Sequence, residues 1–200
     1  MSFTTSLEKI FPNRAFVEVL LFFVLHPDEE TYTARIVRAT GKVLIQVQRA
    51  LKRLEQSGLI RKILRGNKAY YQANAAHSAF KDLKRVLIKA IIFSERMESE
   101  LSLIKDKVVY GFIFGSTASN TESSVSDVDL FLIGNLTQEE AGHLSYPLSL
   151  ELGKEVNTVI YSLKDFRKKN KERHTFITEV LCNPKIWLFG DEYEFEKICR

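Results

Sequence analysis

Two aspartates spaced i and i+2, Asp127 and Asp129, lie downstream of a Gly115-Ser116 pair, and apolar runs enclose both parts. Residues 108–114 (Val-Val-Tyr-Gly-Phe-Ile-Phe) read as one buried strand and residues 128–133 as a second. Side chains two apart in a strand share a face. Asp127 and Asp129 therefore present their carboxylates side by side at a strand's start, close to a turn with free backbone amides. Like charges at that separation repel unless a cation lies between them. Oxygen ligands of this kind suit Mg²⁺, which completes its shell with waters and substrate phosphates. The spacing points to metal-assisted phosphoryl chemistry on a nucleotide. An isolated Asp-x-Asp would read equally well as a turn or helix cap, and the Gly-Ser pair upstream is what favours chemistry.

The elements around the motif alternate. After it come a helix over about 137–152, a strand over 154–161, a helix over about 164–182 and a last strand over 185–189. This is an α/β mixture around a small sheet. Tyr146-Pro147 interrupts the middle helix. The basic stretch 164–173 reads as a solvated helix face, and Cys182 as a buried thiol on that helix. Upstream, Phe80, Leu83, Val86, Leu87, Ala90 and Ile91 recur at helical spacing and predict one long amphipathic connector over 78–103. Its apolar face packs on one or both domains and leaves self-association, a homodimer, open.

The first third differs in charge. Residues 1–76 hold 12 Lys+Arg against 6 Asp+Glu, or +6, whereas the remainder holds 17 against 19. A basic module joined to a different kind of domain suits a polyanionic partner. Pro12 suits the first turn of a helix carrying Phe16, Val17, Leu20, Leu21, Phe23 and Val24 inward. A short helix over 33–40 (Ala34, Ile36, Val37 in its core) and a third over 42–56 (Val43, Leu44, Val47, Leu51, Leu54) follow. Gly58 supplies a left-handed cap. Residues 59–64 and 69–73 form a hairpin with Arg65-Gly66-Asn67-Lys68 at its tip.

Three helices and a basic hairpin over 10–75 resemble the winged helix-turn-helix domain of transcriptional regulators. The resemblance implies double-stranded DNA as partner, with the third helix in the major groove. Lys42, Gln46, Gln48, Arg49 and Arg53 would then face DNA, and Arg65 and Lys68 would form the wing. Gln46 and Gln48 cannot both point at base edges. The alternative is a solvated basic face serving protein contacts.

Gly115-Ser116-Thr117-Ala118 followed by Ser126-Asp127-Val128-Asp129-Leu130 resembles the nucleotidyltransferase superfamily that includes DNA polymerase beta, kanamycin nucleotidyltransferase and the minimal prokaryotic nucleotidyltransferases. The resemblance covers about 100 residues, and its sharp part spans about 20. It implies Mg²⁺ held by Asp127 and Asp129, and a nucleoside triphosphate gripped by Gly115, Ser116 and Ser126. It also implies transfer of a nucleoside monophosphate to a protein, RNA or small-molecule hydroxyl. A third carboxylate on a later strand completes the site in that family. Here Asn157 stands in its place, and Glu155 lies on the same strand face as a substitute or as a solvent-facing residue. Asn157 can coordinate through its carbonyl but cannot take a proton, so transfer is expected to be weakened or lost. Ser119 and Asn120 replace a frequent Arg and Gly.

The two resemblances imply an α+β chain of two domains: a winged helix over 1–76, a connector helix over 77–104 and a nucleotidyltransferase-like domain over 105–200. Composition sets the outer bounds. The 200 residues are 45% hydrophobic and 27% charged, as in an ordinary globular protein. No apolar run approaches the roughly 18 residues a membrane span needs, and we read no signal peptide. Cys182 and Cys199 are too few and too casually spaced for a disulfide framework or zinc site, so reduced thiols in the cytoplasm are expected. His77, His143 and His174 show no metal-ligand spacing.

Overall fold

The computed structural model describes residues 11–94, 97–119 and 126–199. It is an α+β chain with two sheets that divides into two compact units, residues 1–90 and 91–200. The first unit contains α1 (Arg14–Leu25), β1 (Thr31–Tyr32), α2 (Thr33–Thr40), α3 (Leu44–Gln56), β2 (Ile60–Arg65) and β3 (Lys68–Ala73), and α4 (Phe80–Ile92) crosses the division. Asn13 caps α1 by accepting from the Phe16 amide, so the helix starts after Pro12 rather than on it. The hairpin β2–β3 gains β1 as a third, antiparallel strand, which the sequence pattern does not suggest. Leu20, Phe23, Ile36, Val47, Leu51, Leu54 and Phe80 form the centre of the core, all at or near full burial. Ala34, Val43 and Leu44, expected inside, are exposed: Val43 caps α3, and the first turn of that helix projects beyond the core.

The second unit contains α5 (Glu98–Ile104), β4 (Val108–Phe114), α6 (Gly115–Ser119), β5 (Val128–Gly134), α7 (Gln138–Leu152), β6 (Val156–Tyr161), α8 (Leu163–Lys171), α9 (Thr175–Cys182), β7 (Ile186–Phe189) and α10 (Glu192–Cys199). Its sheet has the order β6-β5-β4-β7. β4 pairs antiparallel with β5 and β7, and β5 pairs parallel with β6, so the sheet is mixed. Alternation along the strands sends Tyr110, Phe112, Phe131 and Ile133 to one face, where Phe166, Ile177, Val180 and Phe195 cover them. Phe131 is fully buried, stacks on Phe112 at 5.1 Å and meets Phe114, Tyr161, Phe166 and Phe176. On the other side α7 packs on β6 and α5. A capping box at Thr137 and Glu140 starts α7, and Gly153 ends it in left-handed backbone. The helix runs unbroken through Pro147.

Two predicted helices are each divided. The connector expected over 78–103 is two helices, α4 and α5, and after α4 Phe93 meets Phe189 edge-on at 6.1 Å. The helix expected over 164–182 is α8 and α9. Residues 167–175 contain no apolar side chain, so a continuous helix would have no face to bury there. Cys182 is exposed rather than buried, since Phe176, Ile177 and Val180 form the inward side of α9. α10 adds an element beyond the sequence reading; its Phe195 closes the aromatic cluster at 5.1 Å from Trp187. No helix among the described residues is long and apolar enough to cross a membrane. Replacing Phe131 by Ala should lower the unfolding free energy by about 3–5 kcal/mol in a urea titration, the usual cost of emptying an aromatic site. A loss below about 1 kcal/mol would show that the cluster does not hold this unit together.

Candidate functional site

The site forms where β4 ends and β5 begins. Phe114, the last residue of β4, lies opposite Asp129 across the antiparallel ladder, and Gly115 then turns the chain into α6. Gly115 has φ +69°, and a methyl added to it would collide with Asp129 Oδ2. Glycine is required twice here, for the left-handed backbone and for the space the carboxylate occupies. Buried Thr117 in α6 brings its hydroxyl to 3.5 Å from the Asp127 carbonyl oxygen and steadies the entry to β5. Sequence patterning does not single out Thr117, because its role depends on a partner ten residues away. Ser116 is half-buried in α6, and Ser126 is half-buried just before Asp127. Asn120 lies outside the described residues.

Parallel pairing brings β6 to the other side. Asp129 is in register with Asn157, and the Val128 amide donates to the Glu155 carbonyl oxygen at 2.8 Å. The Asn157 Nδ2 donates to Asp127 Oδ2 at 3.1 Å. Asp127, Asp129 and Asn157 therefore come together at one end of the sheet. Glu155 does not join them: it is exposed ahead of β6, where its backbone rather than its carboxylate meets β5. Among the described residues no group of three Asp, Glu, His or Cys side chains is placed to hold a metal ion.

Burial raises the Asp129 carboxyl above the ordinary aspartate value, and the neighbouring Asp127 charge raises it further. Two close carboxylates, one half-buried, fit a hard cation with phosphate or water oxygens as its remaining ligands. They are too few for an all-protein cage. What they can do is hold a cation against a bound phosphate, at the end of the sheet where Gly115 turns the chain.

Two of the basic residues expected to face DNA carry ion pairs within the first unit. Lys42 precedes α3 and pairs with Glu18 of α1 at 3.1 Å. Arg65 pairs with Glu30 at 2.7 Å and lies opposite Lys68 across the hairpin tip. Lys42, Gln46 and Arg49 line one hollow with Asn13, and Arg49 and Arg53 another with Phe16. Part of the basic excess is thus neutralised within the unit.

No family model matches the chain, and no curated protein matches it. Among solved structures, a toxin-antitoxin crystallised with AMP-PNP is similar over 51% of this chain and 80% of that one, at 19% identity and a TM-score of 0.34. Two mutants of the toxin-antitoxin MntA-HpeT give 16% identity with a TM-score of 0.34 and 17% with 0.31, each over 51% of this chain. They are covered over 79% and 78% of their own lengths. At TM-scores this low the superpositions decide neither fold nor function, and the functional reading rests on the site's own residues.

The raised Asp129 carboxyl has a consequence for stability. Its folded form binds a proton more readily than its unfolded form, so this contribution is full below the ordinary aspartate pKa and is lost as pH rises through the folded value. Asp129→Asn, neutral at every pH, should therefore unfold at a higher temperature than the wild type at pH 7. The advantage should shrink toward pH 4, as followed by circular dichroism. An advantage independent of pH would remove the electrostatic explanation.

Proposed function

We propose that the second unit is a nucleotidyltransferase-like module that binds a Mg²⁺–nucleoside triphosphate at Asp127 and Asp129 and transfers the nucleotide slowly. The observation that carries this reading is the meeting of Gly115, Asp129 and Asn157 at the ends of three neighbouring strands, with Asp127 beside them. Gly115 and Ser116 would grip phosphate oxygens, while Asp127 and Asp129 would hold Mg²⁺, with Asn157 orienting Asp127. Bound there, Mg²⁺ would offset phosphate charge and orient the reacting groups. The reaction is in-line attack of an acceptor hydroxyl oxygen on the α-phosphorus. A new P–O ester bond forms, the bond to the β-phosphate oxygen breaks, and pyrophosphate leaves.

Asn157 accounts for the slowness. Its amide donates a hydrogen bond and cannot accept the hydroxyl proton, and Glu155 stands apart from the carboxylate pair. The proton must pass to solvent without a positioned base. The acceptor belongs to the class of protein, RNA or small-molecule hydroxyls. Incubation with labelled nucleoside triphosphates and Mg²⁺ should show metal-dependent binding that Asp127→Ala and Asp129→Ala abolish. Asn157→Asp should speed transfer by on the order of 10²-fold, the usual contribution of a positioned base. Unchanged binding in both aspartate variants would refute the site.

A second reading concerns the first unit. Arg49, Lys52 and Arg53 are exposed on α3 with no carboxylate partner among the described residues, which favours contact with the phosphates of double-stranded DNA in the manner of a winged helix. A gel shift on promoter DNA should weaken steeply as salt rises and weaken further in Arg49→Ala and Arg53→Ala. No shift at low salt would end this reading.

A further inference from the structure

Val43, Leu44 and Ile45 stand in sequence at the start of α3, and all three side chains are more than half exposed, at 59%, 52% and 53%. The other exposed aliphatic side chains among the described residues stand singly along the chain, where they need no explanation. The helix does not require an aliphatic start. Val43 occupies the N-cap with extended backbone and no side-chain hydrogen bond, at a place where Ser, Thr, Asp or Asn would satisfy a free amide. The core does not require it either, because Val47, Ala50, Leu51 and Leu54 form the buried side of α3. An aliphatic turn that serves neither cap nor core points to a use outside the unit.

The rest of the same helix face indicates what it meets. Residues three, four and seven apart share a helix face, so Ile45 lines up with Gln48, Arg49 and Lys52, all exposed and opposite the buried side. Arg49 and Lys52 have no carboxylate partner among the described residues. The first turn of α3 carries no acidic side chain, and the helix's single carboxylate, Glu55, stands in its last turn. An apolar start followed by unneutralised cations suits a polyanion that offers an apolar group between its charges. A purely apolar partner would leave the cations unmatched. In the major groove of B-DNA, phosphates flank the base edges, and the apolar group on those edges is the C5-methyl of thymine. A helix entering that groove sets its N-terminal residues on the base edges and leaves its cations for the phosphates, which is the order found along α3.

We propose that Ile45, with Val43 and Leu44 beside it, reads the C5-methyl group of thymine in the major groove of double-stranded DNA, while Arg49 and Lys52 hold the flanking phosphates. This inference rests on the reading of α3 as a DNA-contacting helix. The test is fluorescence anisotropy of the full chain at low salt with two labelled duplexes, alternating dA-dT and alternating dA-dU, which differ by that methyl alone. The wild type should bind the dT duplex about fourfold tighter for each methyl it covers. Ile45→Ala should bring the two affinities within about twofold of each other and change dU binding by less than about twofold. Its unfolding midpoint should match that of the wild type, because the side chain is exposed. Arg49→Ala should weaken both duplexes alike and keep the preference. Equal wild-type affinity for the two duplexes overturns the thymine reading and leaves DNA contact by α3 standing. A dT preference undiminished in Ile45→Ala comes from duplex shape and overturns it as well. A wild-type chain that binds neither duplex overturns DNA contact itself. A dimer in sedimentation that Ile45→Ala dissociates assigns the aliphatic turn to self-association instead.

Discussion

The second unit depends on the exchange of a side chain for a carboxylate at the β4–β5 junction. Strand alternation turns Asp129 to the aromatic side of the sheet, and its Oδ2 occupies the space that a side chain at Gly115 would take. The antiparallel register sets Phe114 opposite Asp129, so the residue after Phe114 must turn away in left-handed backbone. Any side chain at that point would displace the carboxylate or open the ladder. The sheet and the acidic pair are thus one construction, and neither can shift by a residue without losing the other.

Beneath that junction the aromatic cluster supplies the rigidity. Phe131 lies two residues from Asp129 on the same strand and is enclosed by rings from β4, β6, α8 and α9. Burial of this much aromatic surface fixes the strand's position to within a side chain's packing tolerance. The same burial that orders the strand withdraws the Asp129 carboxyl from water and makes its charge unfavourable. The packing that orders this strand is thus opposed by the charge it half-buries.

Charge is organised differently in the two units. In the first, Glu18, Glu29 and Glu30 take up Arg14, Arg35, Lys42 and Arg65, and exposed cations remain on α3. In the second, which has no net basic excess, the end of α8 nevertheless gathers Lys168, Lys169, Lys171 and Arg173. Net charge by segment therefore marks the first unit as basic but passes over a local concentration in the second. A sum over residues discards where those residues stand.

The acidic pair, the glycine before it and the alternation of strands and helices are legible in the sequence, because each rests on local spacing: two residues for a strand face, three to four for a helix face. Helix continuity is less legible. Residues 167–175 have no apolar member, which is a local signal, whereas Ile91, Ile92 and Phe93, where α4 ends, are apolar and give no such sign. Tertiary structure alone decided that Asn157 is registered with Asp129 and bonded to Asp127 while Glu155 stands aside. Two same-face residues on one strand are equivalent in sequence, and only the pairing of β6 with β5 chooses between them.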